Sequence, residues 1–480
     1  MYLGIDLGTS AVKIALVDDA QRVVASRSRS LTVSSPRPGH CEQDPAQWIE
    51  ATFATLDALK ADHARELAEV EGIGLSGQMH GATLLDASHR PSRPCILWND
   101  GRSFAECAEL ERRWPALRST TGNKAMPGFT APKLLWVARH EPEIFAATKL
   151  VLQPKAYLRL VLTGEAIEDV SDASGSLWLD VSSRDWSDEG LAATALSRRQ
   201  MPRLVEGCAP AARLRSELAQ RWGMTGRPMI AGGAGDNPAG AIGIGAINPG
   251  AAFISLGTSG ALLVPTETIA ANPERVVHTF CHAVPDRWIQ AGAILSAASC
   301  LAWIARLLGT PETELLAPLG LRPRAPSPVS FLPYLSGERT PHDDPDVRGM
   351  LDGISHATDR DAIVQAVLEG VAFALADCRD VLAETGLVIA EADVGGGSRS
   401  RFWLSVLANV LNVPVHRFAD GETGAAFGAA RLGRLAVTGE AIDAVCTAPQ
   451  RVETFEPDGA LAQAYAERLP QWRRLYRPRR

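Results

Sequence analysis

The chain has 480 residues, 46% of them hydrophobic and 21% charged, with a formal net charge of −7. That length suits two domains of middling size rather than one core. The composition is that of a globular protein, and the absence of any sustained basic run argues against a nucleic-acid or membrane-surface partner.

No stretch approaches bilayer-spanning length and no leader-like segment opens the chain, so a cytoplasmic protein with no membrane partner is expected. The eight cysteines are scattered without a CxxC pair, which predicts packed, reduced thiols.

Residues 1–17 read as strand, tight turn, strand: Ile5 leads into Gly8-Thr9-Ser10, and Val12, Ile14, Leu16 and Val17 follow. Asp18-Asp19-Ala20-Gln21 is a turn, and Val23-Val24 begins a third strand. Over 45–59, Trp48, Ile49, Phe53, Leu56 and Leu59 recur near one helical face. Ile73-Gly74-Leu75 is a short strand running into Ser76-Gly77. Strands mixed with helices in this way predict an α/β architecture. Over 242–250 the composition shifts to Gly, Pro and Asn, and the division is placed there, giving domains 1–245 and 246–480. Helices are predicted over 361–382 and 401–411. Between them the strand Ala392-Asp393-Val394 enters Gly395-Gly396-Gly397-Ser398. The basic residues of 473–480 read as a solvated tail.

One hexapeptide occurs twice: Ile5-Asp6-Leu7-Gly8-Thr9-Ser10 and Ile254-Ser255-Leu256-Gly257-Thr258-Ser259. Both copies lie between apolar strand residues and open their halves, so duplication into two similar lobes with a cleft between them is the simpler account. Glycine lets the backbone approach a ligand closely, and successive N–H groups form a nest for anionic oxygens. Two facing turns grip a polyphosphate from both sides, as transfer of a terminal phosphoryl group requires. Gly8, Thr9, Ser10, Gly257, Thr258 and Ser259 are therefore candidate ATP contacts. Lys13 either neutralises phosphate charge or is an exposed strand lysine. The copies differ at Asp6 and Ser255. ATP arrives with Mg²⁺, so one nearby carboxylate is useful and a second repels the phosphates. Asp6 is assigned to Mg²⁺ through water; the alternative is a structural Asp bonding turn amides.

Asp236 follows the apolar Met229-Ile230 on a glycine-rich loop, Ala231-Gly232-Gly233-Ala234-Gly235. It is either a general base that reaches a substrate hydroxyl or the N-cap of the next helix. Gln78-Met79-His80 sits between Gly77 and Gly81 and offers the donors and acceptors a sugar needs, although a lone histidine is commonly structural. Trp98 adds an aromatic face at a similar strand end. His278 and His282 have a metal-like spacing, but Val276, Val277 and Phe280 favour a strand or loop in which they pack.

Taken together, the runs at 4–10, 76–81, 96–100, 126–136, 331–341 and 367–370 resemble the FGGY carbohydrate kinases over nearly the whole chain. The resemblance implies a duplicated α/β fold of two actin-like, ribonuclease-H-like lobes closing on ATP and a sugar. It implies Asp236 as base, Asp6 serving the Mg-nucleotide, and Met79 and His80 contacting the sugar. Gly257, Thr258, Gly396 and Gly397 match nucleotide-contacting turns. The glycerol branch carries Arg and Glu where this chain has Met79 and His80, so the expected reaction is phosphorylation of D-xylulose. Ribitol, arabinitol and ribulose are alternative substrates, and a non-catalytic ATP-and-sugar binder is the reading from another class. The family also suggests a homodimer. Two departures stand out. Arg401 stands where the glycerol branch has an adenine-contacting Asn, and the base loop carries one residue more than a GGGDN form.

Overall fold

The structure, a computed structural model, describes residues 1–321, 324–396, 400–419 and 424–478. Among these residues, two seven-stranded sheets are built on one plan. In the first, Tyr2–Leu7 lies between an antiparallel partner, Ala11–Val17, and a parallel one, Gly72–Gly77. Val23–Ser30 extends this sheet on one side and Met229–Ala231 on the other. In the second, Ala251–Leu256 lies between antiparallel Gly260–Thr266 and parallel Glu391–Gly396. Trp288–Ile294 and Val415–Phe418 extend it in the same sense. The registers correspond: Asp6 pairs with Lys13 and Ser76, and Ser255 with Ala261 and Gly395. This is the two-lobe, duplicated α/β organisation that the repeated hexapeptide implies.

The central strands are apolar because both of their faces are covered. Leu3, Ile5 and Leu7 are fully buried, as are Val12, Ile14 and Leu16 beside them. The helix Pro45–Ala68 starts with Asp44 accepting the Ala46 N–H at 2.9 Å and with proline in its first turn. It buries Trp48, Leu56 and Leu59 in the same core. In the second lobe, Arg360–Ala383 is capped by Asp359 and is buried almost continuously from Val364 to Cys378. Arg401–Leu411 packs alongside it, in the same core.

One helix crosses the proposed division. Ala425–Thr438 belongs by chain order to the 246–480 half, yet it packs on the first sheet. Glycines make the contact possible: a Cβ on Gly4 would lie 1.8 Å from the Ala426 carbonyl oxygen, and one on Gly74 would lie 1.7 Å from that of Ala429. On its other side, Gly428 abuts the Ala239 carbonyl of Asp236–Ile244 just as closely. Arg431 fastens the contact by donating to the Ile242 carbonyl at 2.9 Å and to Gln21 at 2.8 Å.

The basic segment 473–480 is exposed at Arg474 and Arg477, and two of its described side chains tether it. Arg473 ends the helix Gly459–Arg473 and pairs with Asp377 and Asp380. Tyr476 stacks on His342 at 3.8 Å and donates to Asp344 at 3.1 Å. All eight cysteines are free thiols. Among the described residues no helix is long and apolar enough to cross a membrane.

Candidate active site

A cavity of about 250 Å³ draws its wall from both halves of the chain. Met79, His80 and Trp98 reach it from the first half, and Ser255, Gly257 and Ser259 from the second. Asp236 and Asn237 enter where the first sheet feeds the helix Asp236–Ile244.

The loop before Asp236 is held tightly. Gly233 takes a left-handed φ of 73°, and a Cβ there would lie 2.2 Å from the Leu75 carbonyl oxygen. Ala234–Gly235 then pairs with Ser76 and Gly77, which delivers Asp236 to the cleft. The N-cap position falls to Gly235, so Asp236 is the first helical residue and not the cap. Its carboxylate accepts the Asn237 N–H at 2.8 Å. Desolvation in the cleft, with the Asp6 carboxylate as a second cause, raises its pKa to about 7. A carboxylate poised there takes a proton at neutral pH and gives it up again readily.

Asp6 accepts from the Ser76 hydroxyl at 2.9 Å. Burial raises its pKa, and Ser76 and Lys13 oppose the rise. Lys13 is its cross-strand neighbour and is exposed.

The first turn is bound into the scaffold more than its composition suggests. Thr9 Oγ1 donates to Gln78 Oε1 at 2.9 Å and accepts from Trp98 Nε1 at 3.0 Å. Gln78 Nε2 donates to Gln43 Oε1 at 2.8 Å, which also accepts from Trp48 Nε1 at 3.0 Å. Gln78 is 1% exposed, so its amide lies in this buried network and not in the cavity wall. The Gly8 N–H bonds the Ala11 carbonyl at 3.0 Å, closing the turn on itself. Ser10 is exposed beyond it.

In the second turn the Thr258 carbonyl accepts the Ala297 N–H at 2.9 Å and the Ser299 hydroxyl at 2.7 Å, which anchors the helix Ala298–Leu308. Gly396 ends the strand Glu391–Gly396, while Gly397 lies outside the described residues. Arg401 begins the helix Arg401–Leu411 and is ion-paired with Glu453.

His80 has a left-handed φ of 69°, imposed by contacts on every side. Its N–H donates to Gln153 Oε1 at 2.9 Å, and its carbonyl accepts from Lys133 Nζ at 2.8 Å. Nδ1 lies 2.6 Å from the Gly175 carbonyl, which only accepts, so Nδ1 carries the proton. Burial lowers the pKa of the ring to about 3, leaving a neutral imidazole with Nε2 as an acceptor. Phe129, also in the wall, packs edge-on against this ring at 4.9 Å.

Two further wall residues come from the second half. His278 sits in the strand His278–Cys281, stacked on Phe280, and lines the cavity rather than serving packing alone. Arg339 reaches the same wall. The alternation of His278 and Phe280 along one strand was the signal for the first; nothing local marks the second.

Among the described residues, one group of three carboxylates could hold a metal: Glu168, Asp169 and Asp172. The Lys155 ammonium already lies among them, at 2.5, 2.6 and 3.4 Å. All four side chains are buried, which makes this an internal charge cluster. It supports the site from below. Asp169 accepts from Ser171 Oγ at 2.5 Å, and that oxygen accepts the Gly235 N–H at 3.2 Å, one residue before Asp236.

Residues 1–243 match the FGGY family of carbohydrate kinases, N-terminal domain, and residues 252–437 match its C-terminal domain. The chain is 48% identical over 480 residues to the xylulose kinase of Escherichia coli (strain K12), covering 99% of this chain and 98% of that one. It is 35% identical over 434 residues to the xylulose kinase of Bacillus subtilis (strain 168), covering 90% and 87%. A solved structure, a xyloylose kinase from Brucella ovis, is similar with a TM-score of 0.96 and 53% identity, covering 99% and 98%. Plasmodium falciparum glycerol kinase with ADP, at 21% identity and a TM-score of 0.87 over 98% and 97% of the chains, shares the fold. With both lobes matched on either side of one cleft, the chain belongs to the FGGY family of carbohydrate kinases, whose membership implies use of ATP.

Proposed function

We propose that the chain transfers the terminal phosphoryl group of ATP to O5 of D-xylulose, releasing ADP and D-xylulose 5-phosphate. One observation carries the reading. Asp236, in the wall of a cleft shared by both lobes, has its pKa raised to about 7 by desolvation and by Asp6. The substrate follows the names of the relatives, which are xylulose kinases at 48% and 47% identity. Asp236 takes the O5 proton as O5 bonds the γ-phosphorus and the bond from that phosphorus to the bridging oxygen breaks. The neutral His80, beside Met79 and Trp98, orients the sugar. Gly8, Ser10, Lys13, Gly257, Thr258, Ser259 and Gly396 face the nucleotide. In this reading, residues 1–245 bring the base and part of the sugar site, and 246–480 bring most of the nucleotide site.

Asp6 fits a hard cation. It is a desolvated carboxylate bonded by Ser76, with no ion pair among the described residues. It would hold Mg²⁺ through water, and the ion would neutralise charge on the polyphosphate. Closure of the lobes excludes water from the reacting groups. Eight unpaired thiols support a reducing, cytoplasmic setting.

The test is ADP release, followed by a coupled assay, across ketopentoses and pentitols. D-Xylulose is expected to give the highest kcat/KM. A pentitol or another ketopentose exceeding it overturns the substrate assignment.

A further inference from the structure

Three polar groups in the cavity wall have no part in moving the proton. His278 is 7% exposed, and its Nε2 has no hydrogen-bond partner among the described residues. Its Nδ1 lies 3.1 Å from Asn123 Oδ1, an oxygen that also accepts the Thr279 N–H at 3.2 Å. Nδ1 is therefore the protonated nitrogen and Nε2 an unused acceptor. His80 is arranged in the same way, with Nδ1 given to Gly175 and Nε2 accepting. Arg339 is the cation of this wall, and among the described residues its guanidinium makes no hydrogen bond or ion pair. Glu338 and Asp343 balance its charge only at longer range.

The chemistry of the substrate says what this set would meet. A 2-ketopentose closes to a five-membered ring only by adding O5 to C2. An O5 free to attack phosphorus therefore belongs to the open-chain form, in which C2 is a ketone flanked by hydroxyls on C1 and C3. A ketone oxygen only accepts hydrogen bonds; the hydroxyls also donate. The wall offers a fork of donors next to two acceptors that cannot donate.

Resting on the D-xylulose reading, we infer that Arg339, His278 and His80 recognise the α-hydroxyketone end of the sugar. Arg339 donates to the C2 carbonyl oxygen, and the two Nε2 atoms accept from the flanking hydroxyls. The electrostatics agree with this division of the cavity. Arg339 disfavours a proton on both histidines, while the neighbouring charge felt by Asp236 is that of Asp6. The guanidinium thus acts at one end of the substrate and the base at the other. Arg339 becomes the residue that prefers a ketose over the two epimeric pentitols made by reducing it at C2, because their hydroxyl at that carbon is a weaker, two-way partner.

The experiment compares wild type, Arg339→Met and Arg339→Lys on D-xylulose and on both of those pentitols, using kcat/KM, or Ki where a pentitol does not react. Arg339→Met should lower kcat/KM for the ketose about a hundredfold and change the pentitol values less than about threefold, with KM for ATP unchanged. Arg339→Lys keeps the charge but not the fork, and should lose about tenfold on the ketose alone. It serves as the deciding variant if Arg339→Met fails to fold. Equal losses on ketose and pentitols, or no loss on the ketose, overturn the assignment of Arg339 while leaving the kinase reading intact. Wild type that phosphorylates pentitols but no ketose overturns the D-xylulose reading and this inference with it.

Discussion

Thr9 and Thr258 occupy matching places in two turns that follow matching strands, and they do different work. Thr9 uses its hydroxyl, held between Gln78 and Trp98, so the first turn is tied through side chains to the wall of the cavity in its own lobe. Thr258 uses its carbonyl, which anchors the helix Ala298–Leu308. Two positions before the glycine, Asp6 stands in one register and Ser255 in the other. The backbone plan was duplicated, and the side chains then diverged into a charged turn and an uncharged one. The difference shows that a phosphate-gripping shape alone does not assign a role; what each turn is fastened to does.

Five substitutions test this contrast. Asp236→Ala removes the carboxylate that Asp6 acts on. It should lower kcat about a thousandfold while a fluorescent nucleotide still binds, and near-normal turnover would falsify the base assignment. Asp6→Asn should move the acid limb of the pH–kcat/KM profile below its midpoint near 7. In the proposed reaction the ionised Asp236 is the active form, so activity rises with pH through that value, and removing a neighbouring negative charge makes ionisation easier. A limb that stays put or moves up breaks the link between the two carboxylates. Ser255→Asp gives the second turn the charge of the first. KM for ATP should rise about tenfold with KM for the sugar unchanged, and an unchanged ATP KM would place Ser255 away from the phosphates. Thr9→Val keeps the shape but removes the partner of Gln78 Oε1 and of Trp98 Nε1. Thermal melts should show a loss of about 1–3 kcal/mol, whereas Thr258→Val, whose carbonyl remains, should lose little.

The fold was legible where local pattern and tertiary role coincide. The aliphatic run Val12, Ile14, Leu16 is a buried central strand, and the spacing of Trp48, Leu56 and Leu59 is a buried helix face, here continuing to Ala68. Met79, His80, Trp98 and Asp236 lie in the cavity wall, where the sequence places its chemistry. Gln78 does not, because its amide meets Gln43, a neighbour that no local spacing discloses. The place of Arg339 in that wall is hidden for the same reason, and the sequence reads His278 only as a packed residue. The acceptor character of His278 depends on Asn123, 155 residues earlier in the chain. The run Ala425-Ala426-Phe427-Gly428-Ala429-Ala430 is small enough for close packing, but nothing in it names the first sheet as its partner.

That helix has a consequence for how the protein is made. Synthesis delivers the strands of the first sheet early, yet Gly4 and Gly74 wait for Ala425–Thr438, which leaves the ribosome long after them. Until then the nascent first lobe carries an uncovered apolar strip, including Tyr2, Ala15 and Val17, that only its own late helix covers. Maturation of the first lobe is therefore timed by the synthesis of a helix in the second half of the chain, and a ribosome that stalls before residue 425 leaves a lobe with its strands made and no lid on its glycines.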